Sequence, residues 1–247
     1  MKTEKLAPHP VLSEYYSSAE NRRQKVDEMF DSSAQHYDWI TSAMSFGSGK
    51  WYRRDALVRS GLKQGMSLLD VGAGTGVISL LAQDIVGNDG LVVALDPSKG
   101  MLGEAKRAGV INASLGLGEK LPYPDNTFDM LTMGYALRHV ADLADTFTEY
   151  LRVLKPGGKV LLLEISRPAG KISYFFLKYY MKYIIPLTTR LFRRSANAQE
   201  LMEYYWDTID QCVAPPVIVA ALNEAGFTDA KRHVVMGIFS EYTGIKK

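Results

Sequence analysis

Between residues 67 and 165 the chain alternates short, almost wholly apolar runs with longer segments whose apolar residues recur every three or four positions. The short runs, 67–71 (SLLDV), 91–96 (LVVALD), 128–134 (FDMLTMG) and 159–165 (KVLLLEI), read as buried strands. The segment 77–86 reads as a helix, and so does 98–109, with Ser98 as its N-cap and Gly109 near its end. Asp142 caps a further helix that carries Leu143, Phe147 and Leu151 and is stopped by the Pro-Gly-Gly after Lys155. Strand–helix alternation predicts a parallel sheet with helices on both faces. Uninterrupted apolar strands agree, because such strands are buried on both sides.

The two ends read differently. Residues 1–65 are polar with scattered aromatics, and Ser17 with Glu20 predicts a capping box that opens a helix running to about Phe30. Residues 214–227 read as a helix closed by Gly226, followed by two strands meeting near Gly237 as an antiparallel pair. The expectation is one α/β unit built on a doubly wound, mostly parallel sheet. It comprises a helical cap (1–65), a core (66–166), an insert (167–213) and a closing helix and hairpin (214–247).

Chemistry concentrates where the first strand meets its helix, in Asp70-Val-Gly72-Ala-Gly74-Thr75-Gly76. Glycines allow the tight turn and close approach of a ligand to the backbone, and the following helix offers free N–H groups. Asp96, followed by Pro97, ends the second strand where a carboxylate can accept bonds from a ribose diol. A dinucleotide fingerprint would carry glycine or alanine where Val77 stands. Asp70 also sets an anion where a pyrophosphate would be repelled. S-adenosylmethionine carries a sulfonium and an ammonium and no phosphate, so charge favours it over a nicotinamide cofactor. A glycine turn without a ligand is the remaining reading.

Composition narrows the field further. Of 247 residues, 47% are apolar and 23% charged, which excludes a disordered or collagen-like chain. The formal charge of +2 argues against a nucleic-acid partner, which calls for a strongly basic domain. A single cysteine, Cys212, cannot form an internal disulfide and fits a reducing compartment. His9, His36, His139 and His233 with that one cysteine give no zinc-like spacing, so no metal is expected. The first residues lack the apolar core of a signal peptide, and no apolar run is long enough to span a bilayer, so a cytoplasmic location is expected.

Four blocks then carry a family resemblance: residues 30–38 (FDSSAQHYD) with 44–47 (MSFG) and Trp51; the DVGAGTG loop; 121–129 (LPYPDNTFD); and 152–166 (RVLKPGGKVLLLEIS). The chain resembles class I S-adenosylmethionine-dependent methyltransferases, and more narrowly the C-methyltransferases of ubiquinone and menaquinone biosynthesis, from about Val26 onward. The resemblance implies a seven-stranded Rossmann-like sheet and a lid inserted after the fifth strand. It implies cofactor contacts at Thr75, Asp96, Leu117, Gly118 and Gly134, with Met101 on the adenine. The chain departs from the family at Leu117, where Asp or Asn is usual, at Val77 after the loop, where Asp is common, and at His139, where Arg138 is usually followed by Asn. Ile40-Thr41 replaces Met-Asn, and Ser48-Gly49-Lys50 replaces a segment with a histidine.

The activity so implied is methyl transfer to carbon of a lipophilic acceptor, a prenylated quinol precursor. His139 is the candidate general base with Arg138 as its partner, since histidine titrates near neutrality and the residue follows a strand at the ligand-binding edge. The alternative for His139 is a loop cap or a bond to a carbonyl. His36, Tyr37, Trp51 and Tyr135 are candidates for the acceptor pocket. Residues 171–194 hold six cations, seven aromatics and no acid, with Lys178 and Lys182 on one helix face. This stretch reads as a lid lining the pocket through Tyr179 and Tyr183, as a surface for anionic membrane, or as a homodimer interface. Other functions compatible with the sequence are modification of an isoprenoid diphosphate gripped by Arg190, Arg193 and Arg194, SAM-dependent modification of a quinone ring or of a specialised metabolite, and a non-catalytic SAM-binding scaffold.

Overall fold

The computed structural model describes residues 6–44, 48–193 and 196–247, with side chains for all of these except 19–20, 36, 38–44, 191–193 and 196–198. The chain opens with α1 (Ala19–Met44) and α2 (Gly49–Arg59). There follow β1 (Ser67–Val71), α3 (Val77–Val86), β2 (Leu91–Asp96), α4 (Lys99–Ala108), β3 (Asn112–Leu115) and β4 (Phe128–Gly134). Next come α5 (Leu143–Val153), β5 (Leu154–Ile165), α6 (Lys171–Tyr179), α7 (Ile185–Arg193) and α8 (Ala196–Gln211). The chain closes with α9 (Pro215–Glu224), β6 (Thr228–Val235) and β7 (Phe239–Ile245). The strands form one sheet in the order β3-β2-β1-β4-β5-β7-β6, parallel except for β7, which runs antiparallel to both neighbours.

Alternation along each strand assigns its two faces. Leu69, Val71, Leu131, Met133, Val160 and Leu162 pack with Phe147 and Tyr150 of α5 and Leu222 of α9. The intervening Leu68, Met130, Leu161 and Leu163 pack with Tyr52 and Leu57 of α2 and Ile78 and Ala82 of α3. Both faces are therefore covered, as the uninterrupted apolar runs require. A separate core joins α1, α7 and α8 around Met29, Ile185, Leu201, Tyr204 and Trp206.

Two caps behave as their sequence predicts: Ser98 Oγ accepts the Met101 N–H at 3.0 Å, and Asp142 Oδ1 accepts the Asp145 N–H at 2.9 Å. The first helix differs. Ser18, not Ser17, stands before it and accepts the Asn21 N–H at 3.3 Å, and the helix runs on past Phe30 to Met44. Ala34 and Tyr37 continue the narrow apolar face of Val26 and Phe30 at helical spacing, which polar neighbours mask in the sequence. Pro156-Gly157-Gly158 does end α5, yet it lies within β5: Leu154 pairs with Phe128 and Lys159 with Met130, so the intervening residues bulge out.

Candidate functional site

The strand order reverses between β1 and β4, and ligands of open α/β sheets bind beside the carboxyl ends of strands at such a point. A cavity of about 430 Å³ lies there. The glycine loop, the ends of β2 and β4 and the turn after β4 form its floor, and α1 with residues 7–11 forms its roof. The segment 6–16 is tied across it: the Leu6 N–H donates to Asp142 Oδ2 at 2.7 Å, and the Tyr15 hydroxyl donates to Asp207 at 2.8 Å. The His9 ring meets the Pro10 carbonyl at 2.7 Å and Arg22 at 2.9 Å, and Arg22 in turn donates to the Arg138 carbonyl.

The loop needs its glycines for two different reasons. Gly74 has φ +57°, and a Cβ there would meet nothing within 4 Å, so its bare face looks into open space at the cavity wall. Gly76 has φ +83°, and a Cβ would stand 2.5 Å from Val110 Cγ2, so this glycine lets α3 and α4 close together. Asp96 is fixed from both sides, Oδ2 accepting the Gly74 N–H and Oδ1 the Ser98 N–H, each at 2.8 Å. Burial pushes its pKa up to about 6; the two amides work against that shift, and Asp27 and Asp31 add to it. Asp27 and Glu119 also line the cavity, while Asp31 takes the Gly100 N–H at 2.9 Å and the Ser98 hydroxyl. The carboxylates of Asp27, Asp96 and Glu119 share the wall with Arg22 and Arg23, and Arg23 already faces Asp27 at 3.9 Å, so the end at Asp96 suits a cationic ligand better than a diphosphate. The residues present thus fit S-adenosylmethionine.

Of the residues singled out from sequence, Gly72, Gly74, Asp96, Pro97, Met101, Gly118, Gly134, Tyr37, Tyr135 and His139 all line this one cavity. Tyr135 sits at φ +61°, a conformation that non-glycine residues adopt rarely and mostly at constrained sites. His139 ends a 3-10 turn, Leu137–His139. Its ring is stacked with Tyr204 (centroids 5.5 Å apart) and meets Phe30 edge-on at 5.2 Å. Nδ1 lies 3.3 Å from the Tyr204 hydroxyl, and the buried Nε2 has no hydrogen-bond partner among the described residues. Burial, then the charges of Arg138 and Arg22, hold the imidazole pKa well below the ordinary 6.5. The ring is therefore neutral at neutral pH.

Other expectations are corrected. Arg138 is fully buried and turned away from the cavity. Its guanidinium pairs with Glu164, donates to Thr208 Oγ1 and the Tyr135 carbonyl at 3.3 Å each, and lies 4.5 Å over the Tyr205 ring. Glu164 also takes the Leu137 N–H at 3.0 Å, so the pair clamps the turn carrying His139 onto β5 and α8. Burial lowers the Arg138 pKa, but the Glu164 charge and Tyr205 carry it above its ordinary value. Burial pushes the Glu164 carboxyl up against the pull of Arg138. The pair is nonetheless ionic, because a guanidinium keeps its proton and Glu164 has a second donor in the Leu137 amide. Arg138 thus stands behind the turn that carries His139 and does not line the cavity.

Asp70 also misses the cavity wall. Its oxygens accept the Ser79 and Thr132 hydroxyls at 2.7 and 2.9 Å, joining α3 to β4 beneath the loop. Burial raises its pKa to about 6, against the two hydroxyl bonds. Thr75 is buried and Gly76 precedes α3; neither lines the cavity, nor does Leu117, which bridges to Lys120. Trp51 is 71% exposed because its neighbour Tyr52 holds the inward position, stacked on Phe239. Tyr179 and Tyr183 also face outward, 53% and 54% exposed. The side chains of His36 and Arg193, and Arg194 altogether, lie outside the described residues, while Arg190 is exposed on α7. Sequence reading passed over His9, Arg22, Asp27 and Glu119, all in the cavity wall. Arg22, Val26 and Phe30 recur every four residues along α1, which was the available signal.

Solved structures share this architecture. A methyltransferase from Thermotoga maritima, described as S-adenosylmethionine-dependent and possibly a histamine N-methyltransferase, superposes with a TM-score of 0.64 at 18% identity, covering 89% of this chain and 99% of that one. One from Aquifex aeolicus gives 0.58 at 19% identity over 79% and 89%. The strand order and the cavity edge fit this fold, and a methyltransferase family model matching most of the chain gives the class: an S-adenosylmethionine-dependent methyltransferase. Among curated proteins, the demethylmenaquinone methyltransferase of Symbiobacterium thermophilum is 33% identical over 240 residues, 93% of this chain and 96% of its own length. The ubiquinone/menaquinone biosynthesis C-methyltransferase UbiE of Stutzerimonas stutzeri is 34% identical over 233 residues, 91% of this chain and 90% of its own. The chain belongs to the ubiE/COQ5 methyltransferase family, whose model matches residues 18–246. It is an enzyme, and S-adenosylmethionine is its methyl donor. Among the described residues, no cluster of acidic, His and Cys side chains could hold a metal ion, and no helix is long and apolar enough to cross a membrane.

Proposed function

We propose that the enzyme methylates a ring carbon of a lipophilic quinol, in keeping with relatives named for demethylmenaquinone and for ubiquinone/menaquinone biosynthesis. The observation that carries this reading is a cavity wall in which the neutral imidazole of His139 stands among Phe30, Tyr37 and Tyr135. Aromatic and aliphatic side chains there accept a flat ring, and the imidazole of His139 gives that ring one polar partner, with Nε2 its acceptor when Nδ1 donates to the Tyr204 hydroxyl.

S-adenosylmethionine, when bound, supplies a methyl group already activated by its sulfonium. Asp96 and the loop backbone would hold the adenosyl part at one end of the cavity. Holding both partners in a near-attack pose removes roughly 7–11 kcal/mol of barrier. His139 Nε2 takes the proton of a quinol hydroxyl, and the adjacent ring carbon gains nucleophilic character. That carbon would receive the methyl group, with neutral S-adenosylhomocysteine as the leaving product. The proton on the methylated carbon moves to the ring oxygen, restoring the aromatic ring, and the imidazolium passes its proton to solvent.

The test is turnover with S-adenosylmethionine and reduced prenylated benzoquinols or naphthoquinols, read by S-adenosylhomocysteine release and the mass of the methylated ring. His139→Ala is expected to keep cofactor affinity within a few-fold and to lose at least about 10²-fold in turnover, the usual range for a general base. Unchanged turnover in that variant would remove His139 from the chemistry. Product formed with prenyl diphosphates and with no quinol would overturn the acceptor class.

A further inference from the structure

Among the described residues, exposed apolar side chains cluster away from the cavity, on the outer side of α6, α7 and the π-helical turn Tyr180–Ile184 that joins them. Seven of the fifteen large exposed hydrophobics among the described residues are there: Ile172, Phe175, Phe176, Tyr179, Tyr183, Ile184 and Leu187. From Ile172 to Tyr179 they fall at i, i+3, i+4 and i+7, one helix face. The wide π turn precedes Pro186, and the stripe continues through Tyr183 within the turn and Leu187 beyond it. The opposite side of the same helices is already satisfied, since Met181 and Ile185 pack into the core with Trp206 and Tyr205 of α8. Exposure of the outer stripe is therefore not a shortage of packing partners within the fold.

Charge identifies what the stripe meets. Lys171, Lys178 and Lys182 recur at i, i+7 and i+11 along one edge, with Arg190 beyond. No acidic residue occurs between 171 and 194. Lys182 is held by Asp207 at 3.4 Å, which leaves Lys171, Lys178 and Arg190 without an acidic partner among the described residues. A second copy of the chain would bring this basic edge against itself in a two-fold interface, where the same patch faces its own image. Lysine is also depleted from the cores of such interfaces. An anionic bilayer meets both halves of the surface: cations at the headgroups, and aromatic and aliphatic side chains at the acyl boundary.

We infer that the outer face of α6 and α7 docks the enzyme on anionic lipid bilayers, lying in the interface without crossing it. The helix α1 packs against this pair and also roofs the cavity, so the docked face sits on the same helical layer that closes the site. The inference stands apart from the acceptor class proposed above, since it rests on surface residues that touch neither the cofactor nor the cavity.

The experiment is flotation of the full chain with vesicles of phosphatidylcholine containing phosphatidylglycerol, against phosphatidylcholine alone. Binding is expected to the anionic vesicles, weakening as salt rises. Neutralising Lys171 and Lys178 together (K171Q, K178Q) should lower the partition coefficient about 25-fold, about fivefold per cation. Replacing Phe175 and Phe176 by serine should lower it at least about tenfold while leaving charge unchanged. Calorimetry with S-adenosylmethionine on the same preparations should give the parent affinity, which shows the variants folded and keeps this test separate from the acceptor reading. No flotation with anionic vesicles at low salt would overturn the inference. So would undiminished flotation of the serine variant, or a dimer in sedimentation that the serine substitutions dissolve.

Discussion

Replacing Asp96 by asparagine should uncouple cofactor binding from folding, and the geometry sets the size of each effect. Both carboxylate oxygens accept a backbone N–H, from Gly74 and Ser98. An amide offers one oxygen and one NH₂, so one of these donors loses its acceptor, at about 1–3 kcal/mol. Against that, burial has raised the carboxyl pKa from 3.8 to about 6. That shift corresponds to roughly 3 kcal/mol of penalty on the charged form, which a neutral amide escapes. The two contributions nearly cancel, and the ligand-free variant should unfold within about 2 kcal/mol of the parent. The cofactor has no such compensation. Ribose hydroxyls bonded to a charged acceptor contribute about 1.5–3 kcal/mol each, so losing the charge should weaken S-adenosylmethionine binding by at least about 10²-fold. The parent should show the same dependence through pH: binding needs the carboxylate, so affinity should fall as pH drops through about 6, and the asparagine variant should lack that slope. Calorimetric titrations across pH, with urea melts of both proteins, read the two effects separately. Parental affinity in the variant, or a flat affinity for the parent across that range, would refute the reasoning.

Three further outcomes follow from the packing. Glu164→Gln should destabilise the fold by about 3–5 kcal/mol in chemical denaturation, because it leaves the buried Arg138 charge without its counter-ion; joint replacement by Arg138→Met and Glu164→Leu should cost far less. Burial and the charge of Arg22 lower the His9 pKa to about 4, so the stability its neutral ring contributes is complete above about 6.5 and is lost as pH falls from there through about 4. Asp70 and Asp96 titrate in the opposite sense over the same window, so the readout is the difference between parent and His9→Gln, which should change by about 3 kcal/mol. Gly76→Ala should destabilise by about 2 kcal/mol or more in thermal melts, since the new methyl meets Val110 at a left-handed backbone position.

The periodic part of this fold is legible from sequence, and the reasons are local. The runs at 67–71, 91–96 and 128–134 match their strands, because strands buried on both faces must be apolar throughout. Asn112–Leu115 escapes notice because it is an edge strand with no fully buried residue, and nothing in its pattern separates it from a loop. Legibility ends at the direction of polar side chains. Asp70 and Asp96 look alike at the ends of adjacent strands, yet one is consumed beneath the loop and the other faces the cavity. Arg138 and His139 are neighbours whose side chains diverge, one to Glu164 and one to the site. Trp51 and Tyr52 divide in the same way, and only tertiary packing decides which turns inward. The roof by residues 7–11 is a long-range contact with no periodic trace.

The place of β7 between β5 and β6 bears on how the molecule is made. Strand β5 finds its antiparallel neighbour only in residues 239–245, long after its own residues leave the ribosome. At roughly 5–20 residues per second, a nascent chain spends several seconds with Lys159–Ile165 bare along one side, an apolar row open to any passing strand. The burden on chaperones during synthesis should therefore fall on this central strand, and shortening the interval between it and its late-arriving neighbour should raise the yield of folded enzyme.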